Sequence, residues 1–72
     1  MIKIVEVLFD SSALQDAVLD LSDTGVRVYF PSPVDIPDVV VLRLPGGAYR
    51  TACCKWRQGD EAGFEFLPTA PA

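Results

Sequence analysis

An all-β fold, specifically a six-stranded antiparallel barrel, is what three features of this sequence predict. Runs of β-type residues recur at intervals of about ten residues, a spacing that suits small barrels. Apolar and polar residues alternate with period two, most plainly in "GVRVYF", and turn-forming residues cluster between the runs. With 72 residues, 50% of them hydrophobic and 22% charged, the chain is too apolar for disorder and long enough for one domain only. Closure of the sheet would protect edges that a flat sheet of this composition leaves exposed.

"IKIVEVLF" predicts a strand over residues 2–9, with Val5, Val7 and Phe9 on one face and Ile4, Glu6 and Leu8 on the other. "DSS" reads as a turn. "LQDAVLDL" also carries a helical spacing at Leu14, Ala17, Val18 and Leu21, but it is short for a helix and Val18 favours a strand. In "GVRVYF", Val26, Val28 and Phe30 face inward while Arg27 and Tyr29 face out. "PSPVDIP" then interrupts the sheet, because proline has no N–H to give to a ladder. "DVVVLRL" is the most apolar strand, and "PGG" turns the chain into "AYRTACCKWRQ". There strict alternation puts Arg50, Ala52, Cys54 and Trp56 inward, with Thr51, Cys53, Lys55 and Arg57 outward. "GDEAG" holds the last tight connection, and "FEFL" places Phe64 and Phe66 inside. The expected core is Val5, Val7, Val26, Val28, Phe30, Trp56, Phe64 and Phe66, and the outward set, including Ile4, Leu8, Val40 and Tyr29, is a candidate dimer surface. The domain is expected to span residues 1–67, with 68–72 a loose tail.

Several functions are disfavoured by composition. Net charge is −4 and histidine is absent, so DNA or RNA is a poor partner and the commonest general base and metal ligand is missing. No serine lies in a nucleophile-elbow setting, and "LPGGAYR" lacks the lysine and hydroxyl of a phosphate loop. Adjacent Cys53 and Cys54 would point to opposite faces of a strand, which argues against a shared metal or a disulfide. No stretch is long and apolar enough to span a membrane, and the acidic "MIKIVEVLFD" does not read as a signal peptide, so a cytoplasmic protein without membrane insertion is expected. Catalysis is not expected, and neither is a cofactor.

"LDLSDTG", residues 19–25, is the stretch with the most chemistry. Ser22 can accept from backbone N–H groups of a turn, and Gly25 tolerates positive φ or a close backbone approach. Asp20 is less well explained by turn chemistry. As an acceptor-only group at a barrel rim it suits the paired N–H donors on a guanine's Watson–Crick edge.

The same stretch, as "DLSDTG", resembles the D/N-x-S-x-x-G motif of PilZ domains, small bacterial β-barrels best known as receptors for cyclic di-GMP. The likeness extends from residue 3 to 67: "SPVDIPDVVVLRLPGG" resembles the central hairpin of such a domain and "CCKWRQGDEAGFEFL" the closing one. The resemblance implies a guanine-facing set of Asp20, Ser22 and Gly25, with cyclic di-GMP as a regulatory ligand. Family members that bind it also carry R-x-x-x-R just ahead of the first strand. Here only "MI" precedes that strand and the first arginine is Arg27, so the chain reads as a degenerate member. Arg27 and Arg57 are candidate contributors to a ligand face, although solvated strand surface is the simpler reading of both.

Two functions follow. One is a signalling or adaptor domain that works through protein contacts in bacterial signalling or motility, with weak or no binding of cyclic di-GMP. The other is a cyclic di-GMP receptor that borrows arginines from elsewhere. The sequence favours the first, because losing several charge-assisted hydrogen bonds of roughly 1.5–3 kcal/mol each would weaken binding by orders of magnitude.

Overall fold

The computed structural model describes residues 2–31 and 35–68. Six strands follow in order: β1 Ile4–Phe9, β2 Ser12–Leu21, β3 Gly25–Tyr29, β4 Val39–Arg43, β5 Tyr49–Gln58 and β6 Glu61–Phe66. They close in the order β1-β2-β3-β6-β5-β4, with every neighbouring pair antiparallel. The ambiguous segment at 14–21 is a strand, because its apolar side chains find cross-strand partners on β1 and β3. Ser32–Val34, which include the middle proline of the predicted break, lie outside the described residues. So does the expected tail, apart from Pro68.

Alternation fills the interior. Val5 and Val7 of β1, Val26 and Val28 of β3, Val40 and Leu42 of β4, Ala52 of β5, and Ala62, Phe64 and Phe66 of β6 are buried together with Phe30. Burying each of the larger side chains stabilises by roughly 1.5–3 kcal/mol. Val40, expected on the outside, is only 2% exposed. In "VVVL" every residue is apolar, so a period of two cannot fix the phase. Pairing of Val40 with inward Ala52 fixes it instead. The last turn is also shorter than expected: Glu61, Ala62 and Gly63 already belong to β6.

Each end of the barrel is covered by an arginine lying over a phenylalanine. Arg50 sits 4.8 Å from the centre of the Phe66 ring, and Arg57 sits 4.5 Å from that of Phe30. Arg50 faces inward as expected. Arg57 was expected outside and is a correction: a bulge between Cys54 and Trp56 shifts the register of β5, so Arg57 shares the inward face with Ala62. Asp16, opposite Val5, also faces the interior.

Candidate functional site

Four outward residues form one row across four strands. Asp20 of β2 pairs with Arg27 of β3, Arg27 with Gly63 of β6, and Gly63 with Trp56 of β5. Both ends of the row follow a bulge, one between Val18 and Asp20 and the other between Cys54 and Trp56. A bulge adds one residue and reverses the alternation beyond it. Without these two, Asp20 and Trp56 would both point into the core.

Trp56 therefore corrects the expected core. Its side chain is 43% exposed and lies across Gly63, where any Cβ would overlap the indole nitrogen and the neighbouring ring carbons. Gly63 is outward yet buried, covered by that ring. The available signal was the glycine itself, since a glycine inside a strand often marks a close approach. Strict alternation concealed what the glycine implied.

At the other end, the turn from Ser22 to Gly25 is tied by its own groups. The Ser22 N–H donates to the Gly25 carbonyl at 2.9 Å, and Ser22 Oγ accepts from the N–H groups of Thr24 and Gly25, each at 3.3 Å. Gly25 is explained by close approach: a Cβ there would overlap the carbonyl oxygen of Phe64 on β6. Ser22 and Gly25 thus hold the turn that carries Asp20 at the end of β2. Together these elements enclose a shallow groove of about 310 Å³, lined by Asp20, Ser22, Gly25 and Arg27 on one side and Lys55, Trp56 and Glu65 on the other.

The charges of the groove are unevenly engaged. Arg27 Nη1 lies 3.5 Å from Glu61 Oε1, and Lys55 Nζ lies 3.9 Å from Glu65 Oε1. Both pairs are exposed and so contribute little. The Asp20 carboxylate has no hydrogen bond or ion pair among the described residues. Arg57 does not line the groove; it lies over Phe30 at the barrel mouth. Near it, burial raises the pKa of Asp16, and the Arg57 charge only partly offsets this. Asp16 Oδ2 is buried with no hydrogen-bond partner among the described residues.

Among the described residues no group of cysteine, aspartate and glutamate side chains is placed to hold a metal ion. Cys53 and Cys54 are free thiols on opposite faces. Burial pushes the Cys54 thiol up, which suits a packed side chain rather than a nucleophile. No helix among the described residues is long and apolar enough to cross a membrane.

Searches of curated proteins and of solved structures returned no match. A family model does match. It is the model of the PilZ domain, it covers residues 3–72, and it spans the barrel, the turn at Ser22 and the Trp56 hairpin alike. The chain belongs to the PilZ domains, the non-catalytic bacterial receptor and adaptor modules of cyclic di-GMP signalling.

Proposed function

We propose that this domain carries the guanine-reading half of a cyclic di-GMP site and needs its phosphate-binding arginines from another segment or chain. The observation that supports the reading is the exposed indole of Trp56 in the same groove as the unengaged carboxylate of Asp20. Stacking on an aromatic side chain contributes about 1–3 kcal/mol per base. A carboxylate that accepts two N–H donors adds charge-assisted bonds of roughly 1.5–3 kcal/mol. Ser22 and Gly25 act in this reading as the turn that aims Asp20.

The phosphates are poorly served by these 72 residues. The arginines stand at 27, 43, 50 and 57, none with R-x-x-x-R spacing, and Arg27 and Lys55 already face carboxylates. The domain, taken as residues 1–67, is therefore expected to bind cyclic di-GMP more weakly than about 100 μM on its own. Isothermal titration tests this. Fusing an R-x-x-x-R segment ahead of β1 should bring the affinity into the micromolar range, and Asp20→Asn should abolish that gain. Low-micromolar binding by the unmodified chain would overturn the need for outside arginines. No gain from the added segment would overturn the half-site.

A second reading, an adaptor that acts through protein contacts in signalling or motility, is favoured by a separate observation. Ile4, Ala17 and Tyr29 lie side by side on the outer face of β1, β2 and β3, with Ile4 and Tyr29 exposed. A second copy or a cytoplasmic protein partner would cover that strip. The strip adjoins the groove on the same outer wall, Tyr29 being the next outward residue after Arg27 on β3, so the two readings use neighbouring surfaces.

A further inference from the structure

We infer that the groove between Asp20 and Trp56 docks an arginine side chain from a partner protein segment, and that this arginine competes with a guanine for the same two groups. The inference uses the groove of the guanine reading but does not depend on nucleotide binding.

The chemistry of the two guests is shared. The Watson–Crick edge of guanine contains a planar N–C–N unit with parallel N–H donors. The guanidinium of arginine presents the same fork on a planar π system, with a full positive charge added. A carboxylate such as Asp20 accepts from either fork. The indole of Trp56 offers its face to either plane, and it attracts the cation through its quadrupole.

Electrostatics separate the two guests. A guanine in cyclic di-GMP arrives with phosphates, whereas an arginine brings a charge opposite to that of Asp20; the cations of the lining, Arg27 and Lys55, face Glu61 and Glu65 instead. Among the described residues the Asp20 carboxylate is unengaged and Glu65 faces Lys55 at 3.9 Å, and the whole chain carries a net charge of −4. An acidic surface also attracts a basic segment before contact is made.

Dimensions agree as well. Asp20 stands on β2 and the indole covers Gly63 on β6, two strands away. At about 4.8 Å per strand the separation is roughly 10 Å at the backbone, which two side chains and one planar group can span. Lysine would fit poorly, because its ammonium is a compact, strongly hydrated point charge without a fork or a plane.

Trp56 is the sole tryptophan of the chain, so its fluorescence reports on this groove alone. The probe is a capped, otherwise uncharged peptide with a central arginine, compared with versions carrying lysine or citrulline there. Citrulline keeps the planar shape but loses the charge. The arginine peptide should perturb Trp56 emission saturably. The lysine version should bind about tenfold more weakly, a difference of about 1.4 kcal/mol. The citrulline version should bind more weakly again, and Asp20→Asn should remove the response to arginine. Adding guanosine monophosphate should displace the peptide. Equal responses to arginine and citrulline would overturn the proposal, as would no response to about 5 mM peptide, a concentration that reaches the millimolar affinities near −4 kcal/mol. If cyclic di-GMP perturbs Trp56 once an R-x-x-x-R segment is fused while the isolated arginine peptide does not, the guanine reading stands and this one falls. The reverse pattern rejects the guanine reading, and the competition with it, and keeps the arginine site.

Discussion

Two glycines show how one residue can matter for different reasons. Gly25 approaches a backbone carbonyl, which cannot move without breaking the β3–β6 ladder. Gly25→Ala is therefore expected to destabilise by about 2 kcal/mol or more, within the range of overpacking, as urea titration would show. Gly63 approaches only the indole of Trp56, a side chain that can swing aside. Gly63→Ala should leave the urea midpoint nearly unchanged while shifting Trp56 emission and raising its quenching by acrylamide. Trp56→Ala should cost less than about 1 kcal/mol, whereas Phe64→Ala, in the true core, should cost about 3–5 kcal/mol. A large loss for Trp56→Ala would return that residue to the interior. Asp16 gives the pH dependence. Its folded pKa is raised by burial above the ordinary carboxylate value of 3.8, so its favourable contribution is fully present below that value and is lost as pH rises through the folded pKa. Asp16→Asn should thus look best relative to the unmodified protein at neutral pH. Its relative advantage should shrink as the pH falls toward 4, which thermal melts across that window would measure.

At the scale of the strand, the outcome turned on bulges. "GVRVYF" was legible throughout because β3 is regular, and its alternation directly names Val26 and Val28 as core and Arg27 and Tyr29 as surface. The six strands and the turn at Ser22 were legible for similar reasons: local propensity and turn chemistry need no knowledge of the partner strand. The outward phase of Trp56 and the inward phase of Arg57 were not legible, because a bulge is set by what lies across the ladder. Gly63, which leaves room for the indole, is on another strand. Half of the groove was thus readable at Asp20, Ser22, Gly25 and Arg27, and the aromatic half was hidden. Deleting Lys55 tests this. Cys54 stays inward, the next residue is then outward in a regular ladder, and Trp56 should keep its exposed emission. A red shift on deletion would mean that Trp56 had been inside, in a ladder without the bulge.

At the scale of the molecule, closure leaves the six described strands without a free edge for pairing, so self-association of the barrel has to use side chains on the outer wall. The strip of Ile4, Ala17 and Tyr29 is one apolar surface that runs across β1, β2 and β3. Sedimentation at about 100 μM should show a reversible dimer, since that concentration populates contacts far weaker than the −8 kcal/mol of micromolar binding. Ile4→Glu should return the monomer, and a monomer in the unmodified chain would leave the strip to another protein. The paired bulges carry one more consequence, for the breathing of the barrel. Each interrupts a ladder, β2 with β3 in one case and β5 with β6 in the other, so the amides beside Asp20 and Trp56 should exchange with solvent sooner than those of β1 and β4. Any guest that grips both residues bridges the two interruptions like a clamp, and its arrival should be recorded as slowed exchange in both ladders at once, even if no atom of the barrel changes its average position.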